Sequence, residues 1–138
     1  MTMHGKCLCG AVKFTAEVLK PTFSACHCGM CRRWSGGAPF FAINTASVSF
    51  EGEENLGRYA SSKWAERGFC KTCGSVLFYF LIPAKRYAMS AGAFDDPSQF
   101  ELSLEIFIDR KPDAYSIAGD HPRWTEAETF AKLAPPST

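Results

Sequence analysis

All seven cysteines of the 138-residue chain fall into three tight groups: Cys7-Leu8-Cys9, Cys26-His27-Cys28-Gly29-Met30-Cys31 and Cys70-Lys71-Thr72-Cys73. Thiols one or two residues apart, with partner groups far away in sequence, are what a tetrahedral metal needs to clamp two chain segments together. Thiols serving only as core would be scattered. Zinc–sulfur bonds of about 2.3 Å at tetrahedral angles put two thiolates on one ion about 3.8 Å apart, so the backbone between neighbouring ligands must bend sharply. A glycine follows Cys9, Cys28 and Cys73. The sequence therefore predicts tight turns of positive φ at Gly10, Gly29 and Gly74, which also aim N–H groups at sulfur.

Disulfides fit this pattern poorly. The run Met1-Thr2-Met3-His4-Gly5-Lys6 contains no apolar signal region, and the longest apolar run, residues 76–82, is far short of a membrane span. These features predict a cytoplasmic location, where reducing conditions keep thiols free. An odd cysteine count would also leave one thiol unpaired in a full disulfide scheme. The formal charge of +1 becomes −2 once seven thiolates and two zinc ions are counted. No basic stretch or charge excess favours nucleic acid. Lys6, Lys71, Arg32 and Arg33 flank the cysteine groups, where they can offset thiolate charge or simply face water.

At this length one core can bury roughly 68% of the unfolded surface, so the chain is read as a single domain over residues 1–133 that need not oligomerise to fold. The last residues, Ala134-Pro135-Pro136-Ser137-Thr138, read as a flexible tail. Residues 11–18, 48–52, 58–60 and 103–109 alternate apolar and polar side chains, as strands with one buried face do. Residues 39–43 and 76–82 are solidly apolar and predict central strands, and 23–27 and 87–91 are the remaining strand candidates. Phe40, Phe41, Phe78 and Phe80 lie in these segments and, with Phe69 next to Cys70, read as core. Helix signals are confined to Asp95-Asp96-Pro97 and to residues 125–133, where Glu128 follows Thr125 at capping-box spacing. The predicted class is mainly β with little helix.

Seven ligands divide most naturally into four and three. Cys7, Cys9, Cys70 and Cys73 would form a closed, structural four-sulfur zinc site that cross-links distant segments. Cys26, Cys28 and Cys31 would hold a second zinc with one open position, the arrangement expected of zinc that does chemistry. His27 is a tempting fourth ligand, but in an extended segment it faces away from Cys26 and Cys28. Closure of the second site by His4 or His121 is the other alternative, and it would leave no room for an outside ligand. Arg32, Arg33, Trp34 and Ser35, beside Gly36-Gly37, are the nearest candidates to line a substrate. Asp95 and Asp96 read as a turn rather than an acid/base pair.

The segments Gly5-Lys6-Cys7-Leu8-Cys9-Gly10-Ala11-Val12, Cys26-His27-Cys28 with Cys31-Arg32, and Phe69-Cys70-Lys71-Thr72-Cys73-Gly74-Ser75 resemble the glutathione-dependent formaldehyde-activating enzyme family, also called the CENP-V/GFA domain. The likeness continues through Ala91-Gly92-Ala93-Phe94-Asp95-Asp96-Pro97, Ile106-Phe107-Ile108-Asp109 and Ala118-Gly119-Asp120. It implies an Mss4-like, mainly antiparallel β architecture with two zinc sites, Cys7, Cys9, Cys70 and Cys73 being structural and Cys26, Cys28 and Cys31 at the active centre. It further implies a carbon–sulfur lyase of the S-(hydroxymethyl)glutathione synthase type, with glutathione and formaldehyde as partners. The competing expectation is a non-catalytic zinc-stabilised module that binds glutathione, another small ligand or a protein.

Overall fold

Period-two burial governs the first two strands of the computed structural model, which describes residues 1–133. The tail expected at residues 134–138 lies outside the described residues. In β1 (Thr2–Lys6) and β2 (Lys13–Val18), Met3, Phe14, Ala16 and Val18 point inward while their neighbours are more exposed. The two strands pair antiparallel, with Met3 opposite Ala16. β4 (Phe40–Glu51) is one continuous strand where two separate pieces were expected. Its middle carries little apolar signal, yet Thr45 is buried there because its hydroxyl donates to the Tyr87 carbonyl at 2.8 Å.

β4 is the trunk of the sheet. It pairs with β3 (Thr22–Cys26) through residues 40–42, with β8 (Arg86–Ser90) through 42–44 and with β2 through 45–51. Beyond β8 follow β7 (Val76–Leu81), β6 (Ala65–Cys70) and β5 (Leu56–Ala60). β9 (Glu101–Ile106) completes the nine-stranded, mainly antiparallel sheet by pairing parallel to β3. β9 stops short of the expected residue 109 because Phe107 takes a left-handed φ of 56° and residues Ile108–Arg110 form a 3-10 turn. The strand expected at 87–91 likewise ends at Ser90, where the 3-10 turn Ala91–Ala93 begins.

Neither β1 nor β6 was expected. β6 contains Glu66, Arg67 and Gly68, weak strand formers that are held by pairing on both sides, to β5 and β7. At the C-terminal end α2 (Glu126–Leu133) begins with a complete capping box. The Thr125 N–H donates to the Glu128 carboxylate at 3.0 Å, and the Glu128 N–H donates to the Thr125 hydroxyl at 3.2 Å. Asp96 opens the 3-10 turn Pro97–Gln99 by accepting from the Ser98 N–H at 3.1 Å. The short helix α1 (Gly29–Trp34) is a correction. Gly29 is its first residue and does not have positive φ, whereas Gly10 and Gly74 do, at 79° and 78°.

The core runs between the sheet faces, with Val12, Ile43, Leu77, Phe78 and Met89 fully buried. Aromatic rings meet edge to face within it, Phe14 with Phe94 at 5.2 Å and Phe78 with Tyr87 at 4.8 Å. Phe40 and Phe78 are buried, while Phe41, Phe69 and Phe80 are half-buried. Among the described residues no helix is long and apolar enough to cross a membrane.

Gly52, just after β4, combines a φ of 79° with a position where a Cβ would collide with the Ala11 carbonyl oxygen. Gly52→Ala should therefore lose about 2 kcal/mol or more, from left-handed strain plus overpacking. The check is a urea titration of the metal-loaded protein. We expect a lower midpoint at unchanged slope, and an unchanged midpoint would refute this account of the turn.

Candidate functional site

Two chain reversals bring the first and third cysteine groups together. Cys7 and Cys9 follow β1, Cys70 ends β6, and Cys73 lies in the turn toward β7. Their four sulfurs all lie within 4.8 Å of one another. Cys7 Sγ is 3.6 Å from Cys9 Sγ, which is 3.8 Å from Cys70 Sγ. These separations match the roughly 3.8 Å set by a tetrahedral ion with sulfur ligands. Backbone N–H groups serve the same sulfurs, Val12 donating to Cys7 at 3.3 Å and Cys73 to Cys70 at 3.5 Å. The Ser75 hydroxyl, 3.2 Å from Cys73 Sγ, is the main reason that the Cys73 thiol is drawn down to about 5. Such an assembly can hold a metal ion and leaves it no vacancy.

The second group is built at the C-terminal end of β3. Cys26 ends that strand, Cys28 caps α1 by accepting from the Cys31 N–H at 3.4 Å, and Cys31 is buried in the helix. The three sulfurs again lie within 4.8 Å of one another, and among the described residues no histidine or carboxylate joins them. Hydrogen bonds from the Cys26 and Cys31 thiols pull Cys28 down to about 2, against its partial burial and with help from the Arg67 charge. Cys26 moves the opposite way, pushed up by those same contacts with Cys28 and Cys31 and by burial. Three close sulfurs cannot all ionise unaided. A divalent cation removes that conflict, so this donor set fits a metal with one position open.

Histidine does not close the cluster. His27, fully buried, points its Nε2 at Glu105 Oε1 at 2.7 Å and its Nδ1 at the Tyr115 hydroxyl at 3.0 Å. His121 Nε2 lies 2.6 Å from Glu105 Oε2, which also accepts from Arg123 Nε at 2.8 Å. His4 faces Thr15 at 3.2 Å on the exposed side of β1. An ionised Glu105 can only accept, so each histidine donates from Nε2, and the Tyr115 hydroxyl can then donate to Nδ1 of a neutral His27. Burial alone would push the Glu105 carboxyl up, but hydrogen bonds from His121, His27 and Arg123 bring it below its ordinary value. Arg123 also donates to the Ile117 and Gly119 carbonyls at 3.1 and 2.9 Å, tying residues 117–123 to β9.

The four expected substrate-lining residues occupy different environments. Arg32 spends its Nε on the His27 carbonyl at 3.0 Å, and the Ser35 N–H donates to the Cys31 carbonyl at 2.8 Å. Trp34 stacks near Phe40 with ring centres 5.0 Å apart, and Arg33 is exposed. Arg67, which sequence reasoning missed, is only 5% exposed and donates from Nη1 to Cys31 Sγ at 3.5 Å. The available signal was an arginine three residues ahead of Cys70, visible only once that stretch is recognised as a strand with inward-facing positions. Two surface pockets of about 270 and 500 Å³ lie elsewhere, the larger lined by Lys6, Cys7, Ser75, Val76 and Phe94 near the four-sulfur group.

Comparison with known proteins points the same way. Residues 2–110 match the family model for glutathione-dependent formaldehyde-activating enzyme. An uncharacterized lyase of Schizosaccharomyces pombe is 37% identical over 132 residues, covering 94% of this chain and 96% of that protein. A Halomonas elongata protein, named for glutathione-dependent formaldehyde activation, is 28% identical over 85% of this chain and 82% of its own length. The fold is shared with a Rhodobacter sphaeroides protein of known crystal structure, at a TM-score of 0.59 and 23% identity, covering 89% of this chain and all of that one.

The Glu105 network generates a pH prediction. Because the folded carboxyl titrates below its unfolded value, its stabilisation is complete above the ordinary glutamate range and is lost as pH falls through the lowered folded value. Glu105→Gln should cost about 2 kcal/mol at pH 7, from buried donors left poorly paired. The gap to wild type should narrow between about pH 5 and pH 3. Denaturant titrations of both proteins across that range test this, and a gap independent of pH would rule it out.

Proposed function

The chain belongs to the glutathione-dependent formaldehyde-activating enzyme family, and from that membership we propose a zinc-dependent carbon–sulfur lyase or synthase acting on the adduct of a small, glutathione-like thiol and an aldehyde. The observation that carries this reading is the three-sulfur cluster of Cys26, Cys28 and Cys31, from which both neighbouring histidines are turned away by Glu105. Cys7, Cys9, Cys70 and Cys73 would hold the structural zinc and the trio the second ion, giving two per chain.

Zinc held by three cysteines supplies Lewis acidity, which lowers a thiol pKa or polarises a carbonyl. The remaining work falls to the protein. Glu105 fixes the His27 side chain and Arg32 its carbonyl, so the residue between Cys26 and Cys28 is held from both ends, which would orient the trio before any substrate arrives. Arg33, exposed on α1 two residues beyond Cys31, is the proposed partner of a substrate carboxylate. In the synthase direction a carbon–sulfur bond forms as the carbonyl π bond opens, and the thiol proton finishes on the new hydroxyl oxygen. The lyase direction reverses each change, and no oxidant or reductant is consumed.

A second reading, a non-catalytic zinc-stabilised module that binds glutathione, another small ligand or a protein, draws support from the two pockets lying away from the trio. Turnover separates the two. Zinc-loaded protein should consume glutathione plus formaldehyde faster than the uncatalysed mixture. Cys28→Ser should abolish that acceleration while its circular dichroism stays native, whereas Cys70→Ser should lose the fold, as breaking a structural zinc site does. Heat of glutathione binding without any acceleration would favour the module, and equal unfolding of both variants would refute the division of roles.

A further inference from the structure

A buried arginine normally faces a carboxylate, because an unpaired guanidinium is costly to take out of water. Arg67 does not. Its guanidinium lies between the rings of Trp34 and Tyr79, 4.9 and 5.3 Å from their centres, with Tyr79 directly opposite it on β7. Nη1 donates to Cys31 Sγ at 3.5 Å, Nη2 approaches Met30 Sδ at 3.9 Å, and Nε is buried without a partner. Among the described residues no carboxylate lies within 4.0 Å of it. The positive charge therefore has only the sulfur cluster to answer it, and one strong donor remains unused.

Charge counting gives this placement a purpose. Three thiolates and a divalent ion sum to −1, and a thiolate arriving as fourth ligand takes the partly buried cluster to −2. With Arg67 in the count, the total returns to −1. We propose that Arg67 is a positioning residue that sets the ligand class of the three-sulfur site, admitting an anionic fourth ligand, a thiolate, in preference to a neutral one. This rests on the open position proposed above. The aromatic walls hold the guanidinium in place without neutralising it, which a carboxylate partner would do.

The test uses full-length protein loaded with cobalt(II) in place of zinc, whose visible bands report ligands entering the three-sulfur site. Mercaptoethanol serves as the anionic probe and imidazole as the neutral one, titrated at one fixed pH into wild type, Arg67→Gln and Arg67→Lys. We expect Arg67→Gln to weaken mercaptoethanol binding by roughly tenfold while imidazole changes by less than about twofold, with Arg67→Lys recovering most of the loss. A purely structural role would move both probes together. Should Arg67→Gln not fold, Arg67→Met keeps an apolar stem between the two rings and removes the same charge. Equal losses for both probes, or unchanged mercaptoethanol binding, would overturn the role of Arg67 alone. A wild-type protein that takes up neither probe would overturn the open position and this inference with it.

Discussion

Crowded sulfur is the constraint to which the rest of the molecule answers. Each cysteine cluster packs thiols closer than their charges allow unaided, and strands, turns and helix ends are placed to manage that repulsion. Around the four-sulfur group the answer is mostly backbone, with N–H groups of Val12 and Cys73 on sulfur and left-handed glycines closing the two turns. Around the trio the answer is a side-chain cation and a helix cap. The first group has one sulfur for each of four tetrahedral positions. The second is lopsided, and the chemistry proposed here lives in that asymmetry.

The position of the trio follows from the sheet. β4 is long enough to pair with three partners in succession, and its first residues hold β3 so that Cys26 ends beside the start of α1. Parallel pairing of β9 on the far edge of β3 delivers Glu105 to His27. β6, held between β5 and β7, brings Arg67 to the same trio from a strand between the two in sequence. Thus the trio is local in sequence, while the groups that orient it and balance its charge come from strands 36 and 78 residues away.

That distribution explains what was readable beforehand. The cysteine groups, the apolar centre of β7 and the capping box of α2 are local patterns, and the sequence shows each directly. β6 was invisible because its register is imposed by neighbours rather than by its own side chains, and Arg67 was hidden with it. The helix α1 was missed because six residues carry too little periodicity, and Gly29 resembled a turn signal when its task is to open that helix. The turning of His27 away from the sulfurs followed from simple strand alternation, but its partner Glu105 required the three-dimensional pairing of β3 with β9.

The parallel β3–β9 pairing also has a temporal side. On a ribosome the trio emerges long before β9 does, since His27 and Glu105 are 78 positions apart. In the first part of that interval the nascent loop has its nucleophilic sulfurs without the cation carried by β6, 36 positions beyond Cys31, and throughout it the loop lacks the Glu105 partner of His27. Domains generally complete as units once their late segments are made, so the trio is made well before its surroundings are complete. The site is thus begun early by three local cysteines and finished only when the far end of the chain arrives.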